Sequence, residues 1–208
     1  MSSLYLSLLC VITIVSVATA LVGQRSDSPV RSTSLRHSLP VGSGIDIRTS
    51  TTTISAYKEL KVETLKGISF KDITKDVREV VKSANIREGQ VTILSRHTTS
   101  AITINEMESR LVDDARQFLL KLVPAAYPYL HNDLHLRSGP PGWPGGDEAW
   151  RAQEPVNCHS HLIAMLLGAS ECVPIYNGEL CIGTWQSIIV AELDGPRTRS
   201  ISIQATGI

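Results

Sequence analysis

Three histidines stand at polar junctions of the sequence, and their placement sets the first chemical question. His97 lies in Ser95-Arg96-His97-Thr98-Thr99-Ser100, His131 in Tyr129-Leu130-His131-Asn132-Asp133, and His161 in Asn157-Cys158-His159-Ser160-His161. Neutral imidazoles converging from three segments can hold a divalent transition metal such as zinc with one position open, or supply a general acid and base. At each position alone the competing reading is a solvated or core-satisfied ring, because spacing along the chain does not show convergence. His131 and His135 are four apart and share a face only if their segment is helical; His159 and His161 are two apart and share one only on a strand. A helix begins close by, so His161 is the better candidate of that pair. His37 falls in an N-terminal segment that is set aside below.

Two further constellations carry polar chemistry. Ile102-Thr103-Ile104-Asn105-Glu106 ends an apolar run with an amide and a carboxylate. Asn105 both donates and accepts, and Glu106 can orient a histidine, bind metal or take a proton; the plainer reading of Glu106 is a solvated acid at a helix start. Gly183-Thr184-Trp185-Gln186 interrupts two apolar runs with a small residue, a hydroxyl, an indole and an amide. The glycine there suggests a bulge or a close backbone approach, and Trp185 offers an apolar wall for a flat heterocycle or an ordinary core side chain. Cys158, Cys172 and Cys181 read as small apolar residues rather than nucleophiles, and no CxxC pair suggests a structural zinc.

These residues need a scaffold. Thr53–Thr64 reads as an extended segment. Ile73, Val77, Val80, Val81 and Ala84 fall at helical spacing behind a capping Asp72, and Gly89 closes that region. Val91–Leu94 and Ala101–Ile104 are β-branched runs separated by a polar turn, which predicts neighbouring strands. Leu111, Val112, Ala115, Phe118, Leu119 and Leu122 form a second helical stripe that Pro124 stops. Residues 138–146, SGPPGWPGG, predict an irregular, lid-like loop. A short apolar helix over His161–Leu167 ends at Gly168. Asn177-Gly178 between Cys172–Tyr176 and Glu179–Ile182 signals a hairpin. Ile188–Leu193 reads as a strand covered on both faces, and Ser200–Ala205 alternates behind the Asp194-Gly195-Pro196 turn. Strands and helices do not alternate regularly, which predicts an α+β class with a largely antiparallel sheet.

The chain has 208 residues with 20 basic and 20 acidic side chains. That balance gives no basis for a nucleic-acid or anionic-membrane partner, since both attractions need a surplus of Lys and Arg. Any phosphate must be met by a local cluster; Arg96, Arg110 and Arg137 lie near the motifs in sequence. Residues 1–22 read as a signal peptide, uncharged from Leu4 to Val22 and ending in Ala18-Thr19-Ala20 before the cut, against the alternative of an uncleaved anchor. Residues 23–52 are Ser/Thr- and Arg-rich with few acids, which reads as a transit-like or disordered segment. Together they place the protein in the secretory pathway, with either a plastid address of two parts or a secreted or endomembrane destination, and no membrane contact after cleavage. Residues 53–208 form one domain. Three cysteines remain after the leader, and an odd number gives no disulfide framework.

In order and spacing, His97-Thr98-Thr99-Ser100-Ala101, Ile104-Asn105-Glu106, Tyr129-Leu130-His131-Asn132-Asp133, Ser160-His161-Leu162, Leu167-Gly168, Gly183-Thr184-Trp185-Gln186 and Asp194-Gly195-Pro196-Arg197 resemble the secondary thiamine-phosphate synthase enzyme family, which is YjbQ-like. The resemblance spans roughly 53–208. It implies a compact α+β domain of β-sandwich character that assembles as a homotrimer. It also implies a shared polar site near a subunit boundary, with His97, His131 and His161 as metal ligands. His131, His161 and Glu106 are its candidate catalytic residues; Thr98, Ser100, Asn105, Gly183, Thr184, Trp185 and Gln186 are its candidate substrate contacts. The implied activity is a weak or secondary joining of hydroxymethylpyrimidine diphosphate to thiazole phosphate, so the expected partner is a small phosphorylated heterocycle and the cofactor a divalent metal. Two other readings stand beside it: a metal-assisted hydrolase or lyase on a small phosphorylated metabolite, and a non-enzymatic oligomeric binding protein. The leader and the loop 138–146 depart from the simplest family pattern.

Overall fold

The computed structural model describes residues 53–208; the expected leader and transit-like segment lie outside them. In chain order the elements are β1 (Ile54–Glu63), β2 (Gly67–Asp72), α1 (Thr74–Ser83), β3 (Gly89–Ser95), β4 (Ser100–Asn105), α2 (Ser109–Leu122), two single 3-10 turns (Leu130–Asn132 and Leu134–Leu136), α3 (Gly146–Gln153), α4 (Cys158–Leu167), β5 (Ser170–Tyr176), β6 (Glu179–Leu180), β7 (Ser187–Gly195) and β8 (Thr198–Gly207). Every strand pairing is antiparallel. Five strands form one sheet in the order β1-β8-β3-β5-β6, and three form another in the order β2-β7-β4. The α+β reading with a sandwiched core therefore holds.

The pattern of β7 explains the layering. Ile188 and Val190 pack with Val91, Ile93, Ile201 and Ile203 of the larger sheet and with Val77 and Val81 of α1. Their neighbours Ala191 and Leu193 pack with Ile163 and Ala164 of α4 and Leu119 of α2. Alternate side chains of one strand thus enter two cores, so β7 has no polar face to show. Asp72 caps α1 as expected, its Oδ1 accepting from the Thr74 N–H at 2.8 Å. Asn177 and Gly178, both at positive φ, close the β5–β6 hairpin.

Three features differ from the sequence expectation. The strands β3 and β4 are not partners: the four-residue link between Ser95 and Ser100 carries the chain from one sheet into the other. The 138–146 segment leads directly into a short helix, α3, that the sequence reading did not anticipate, and it is anchored rather than free. Trp150 of α3 is 5% exposed, the Gly139 N–H donates to Asp147 Oδ1 at 3.0 Å, and the Arg137 guanidinium lies 5.0 Å from the Trp150 ring centre. Finally, the apolar stripe of α2 is covered only in part, since Leu119 is buried while Phe118 and Leu122 remain 63% and 55% exposed.

Gly195 marks a close approach of two backbones. A Cβ there would stand 2.0 Å from the Leu65 carbonyl oxygen, far inside contact distance, with no flexible side chain to move aside. Gly195→Ala is expected to lower stability by about 1–3 kcal/mol, the usual cost of overpacking, as read by urea denaturation. An unchanged midpoint would show that the two backbones do not meet this closely.

Candidate active-site cleft

The connection between β3 and β4 presents His97, and α4, packed over β4 and β7, presents His161. Both rings line the same open cleft of about 680 Å³, whose other walls include Thr98, Trp143, Trp150, Glu154, Arg197 and Arg199. The segment 138–153 thus forms one wall of the cleft. His131 is not among the residues that line this cleft, but it touches one that is. Its ring meets that of His161 edge to face with centres 4.8 Å apart. Asn132 fixes this meeting, because its Oδ1 accepts from the Cys158 N–H at the start of α4 and so docks the 3-10 turn that carries His131 onto the helix that carries His161.

The three imidazoles differ in what their nitrogens can do. His131 Nε2 is buried without a hydrogen-bond partner, a costly state for a polar atom unless something occupies it. Burial, and then the neighbouring His131, holds His161 below the ordinary histidine range, which favours its neutral form. His97 is committed otherwise: its Nε2 accepts the Ser200 backbone N–H at 2.8 Å. A neutral ring whose Nε2 accepts carries its proton on Nδ1, so in this geometry His97 offers a donor and no lone pair to a metal. Burial, followed by the Arg199 guanidinium, lowers the affinity of His97 for a second proton. Nitrogen-15 spectra should show the Nδ1–H tautomer for His97 at neutral pH; the Nε2–H tautomer would contradict this hydrogen bond.

His131 and His161 therefore offer a pair of imidazoles rather than a trio, and among the described residues no group of three His, Cys, Asp or Glu side chains is gathered for a metal. His135 is exposed, and it lies in a separate 3-10 turn from His131, so the pair does not share a helix face. His159 keeps its Nδ1 buried without a partner, and its ring is held below the ordinary range by burial. Of the expected substrate contacts at this end, Thr98 is exposed in the cleft, whereas Ser100 is 1% exposed and its hydroxyl bonds Ser95 Oγ at 2.5 Å.

Glu106 and the Gly183–Gln186 turn lie elsewhere on the chain. Ser100 pairs with Glu192 and Asn105 with Ser187, so β4 separates the two groups by five residues, about 17 Å at the strand rise. There Glu106, Thr184 and Trp185 line a separate, smaller cleft with Asp72 and Met107. Trp185 is 74% exposed. Gln186 closes the turn on itself, its Oε1 accepting the Gly183 N–H at 2.7 Å, and Asn105 Oδ1 accepts the Glu106 N–H. One chain does not bring the two ends together.

Sequence reasoning missed the buried pair behind His97. Glu192 is fully buried and Arg199 3% exposed. Arg199 Nε donates to Glu192 Oε2 at 2.6 Å, and Nη2 donates to Glu192 Oε1 and to Thr99 Oγ1. Thr64 Oγ1 and the Asp194 N–H also donate to Glu192. Burial alone pushes the Glu192 carboxyl up; these hydrogen bonds, Arg199 first among them, outweigh it and hold the group below its ordinary value. The signal was present: Arg199 is in phase with Ile201, Ile203 and Ala205 on the inward face of β8.

A two-sheet α+β sandwich flanked by helices, with an imidazole pair beside an open cleft, defines the class. Residues 58–208 match the family described as UPF0047 protein YjbQ-like, and the chain belongs to that family. A UPF0047 protein of Methanothermobacter thermautotrophicus is 41% identical over 150 residues, covering 72% of this chain and 91% of that protein. The UPF0047 protein YugU of Bacillus subtilis is 32% identical, covering 72% and 98%. Among solved structures, a YbjQ-like protein of unknown function from Sulfolobus solfataricus superposes with a TM-score of 0.64 at 29% identity, covering 76% of this chain and all of that one. A hypothetical protein from Aeropyrum pernix gives 0.62 at 29% identity, covering 73% and 98%.

Proposed function

We propose that the chain is a transferase of small phosphorylated heterocycles, of the thiamine-phosphate synthase kind, with His131 and His161 as its working pair. The observation that carries this reading is their edge-to-face contact beside a cleft, with one nitrogen buried and unpartnered. In the reaction, a thiazole ring nitrogen attacks the exocyclic methylene carbon of the pyrimidine, the C–O bond to diphosphate breaks, and diphosphate leaves with the electron pair. The nucleophile carries no proton, so no base is needed; what the site must supply is orientation and hydrogen-bond donors for the leaving group. His97, as an Nδ1–H donor, suits that second task. A divalent metal, zinc by its preference for imidazole, would be held by His131 and His161 and would neutralise leaving-group charge. The chain's own donors make two ligands, so a further one has to come from substrate or from another copy.

A homo-oligomer, a trimer by family resemblance, belongs to the same proposal. Phe118, Leu122, Met165, Leu166 and Trp185 are all more than half exposed, uncovered apolar side chains of the kind that copies of a chain bury. A neighbouring copy is also the one route by which Glu106 and Trp185 would serve the histidine cleft. The test is to incubate the full chain with both precursors and measure thiamine phosphate by mass spectrometry. Product above the uncatalysed background supports the transferase; none, with or without added zinc, rejects it. The unpartnered His131 Nε2 also favours a second reading, a metal-assisted hydrolase, which release of inorganic phosphate from simple esters by the zinc-loaded chain would distinguish.

A further inference from the structure

We propose that Arg199 is the anchor of a phosphate subsite in the histidine cleft, taking the terminal phosphate of a monoester or diphosphate. The inference rests on the cleft being a substrate site, as proposed above, and it adds a residue and a ligand chemistry to it.

The argument begins with which donors remain unengaged. Arg199 Nε and Nη2 are turned into the protein toward Glu192 and Thr99. Nη1 has no acceptor among the described residues, and it is not one of the sealed-off orphan atoms; Arg199 itself lines the cleft. A guanidinium held on two edges by a carboxylate and a threonine is fixed in place before any ligand arrives, so binding to its third edge sacrifices little side-chain freedom. Around it stand His97, Arg197, Thr98 and Thr198. His97 presents Nδ1–H because Ser200 holds its Nε2.

Each carboxylate nearby is engaged through at least one oxygen. Asp194 Oδ2 accepts from Asn157 and Arg197, each at 2.8 Å, Glu154 pairs with Arg137 at 3.3 Å, and both oxygens of Glu192 accept within the protein. Beside Arg199 Nη1, the His97 Nδ1–H and the Thr98 and Thr198 hydroxyls offer donors, which match a tetrahedral oxyanion with several acceptor oxygens, while Asp194 Oδ1 and Glu154 Oε2 are acceptors that such an anion must turn away from. Because each arginine has a paired acid, the net local charge is small. Phosphate alone should bind weakly, in the millimolar range, and direction rather than bulk charge should select it.

The test uses the full chain with inorganic phosphate and, separately, pyrophosphate as probes, read by phosphorus-31 line broadening against chloride at equal ionic strength. The wild-type chain should bind both. Arg199→Lys keeps the charge facing Glu192 but removes Nη1, and should weaken binding at least tenfold. Thr98→Val, at an exposed position, provides a second variant that does not touch the buried pair and should weaken binding severalfold. No binding by the wild-type chain overturns the proposal, as does binding that neither substitution changes. Arg199-dependent phosphate binding without thiamine phosphate formation would leave the subsite standing and reject the transferase. Turnover with an unchanged KM in Arg199→Lys would do the reverse.

Discussion

Glu192→Gln is expected to destabilise the fold by about 3–5 kcal/mol, because it leaves the Arg199 guanidinium buried without its counter-charge. Glu192 accepts from strand β8 through Arg199, from the β1–β2 link through Thr64, and from its own strand through the Asp194 N–H. One substitution therefore loosens three segments. The double variant Glu192→Leu with Arg199→Met should recover much of the loss, since replacing both charges removes the desolvation penalty along with the attraction. Equilibrium denaturation of the two singles and the double measures this directly. Single losses that simply add would mean that the pair is not coupled.

The same carboxylate sets a pH dependence. Its folded value lies below the ordinary glutamate value of 4.5. The stabilisation is therefore complete above the unfolded value and is lost as pH falls through the lower folded one. Wild-type stability should decline on acidification from about pH 5, and the Glu192→Gln variant should lack that part of the slope.

His161→Ala is expected to reduce thiamine phosphate formation by about 10²–10³-fold, the usual cost of losing one group that stabilises developing charge, with little change in stability, since the ring is half-buried on a helix whose core contacts are Ile163 and Ala164. His131→Ala should act similarly. His135→Ala should leave the rate unaltered, because that side chain is exposed on a neighbouring turn. A His161→Ala protein that folds and forms product at the wild-type rate would remove the imidazole from the chemistry.

Much of this was legible along the chain where one local rule governs a segment. Asn177-Gly178 specifies a tight hairpin whatever surrounds it, and the run Ile188–Leu193 announces a strand with two buried faces. What could not be read is where the chain changes sheet. The residues between β3 and β4 look like a hairpin loop, and only the pairing of Ile102 with Val190 in one sheet and of Val91 with Ala205 in the other decides otherwise. The meeting of His131 with His161 depends on Asn132 reaching Cys158, a contact between residues 26 apart that no periodicity encodes. Within one chain the residues expected to share a site lie at the two ends of β4, a separation that the order of the motifs along the sequence does not encode.

The central claim is that His131 and His161 act as one unit. A double-mutant cycle on the rate of thiamine phosphate formation tests it most directly, using His131→Ala, His161→Ala and the pair together. Groups that work jointly give a double variant no slower than the slower single variant. Losses that multiply would show two independent side chains that merely touch.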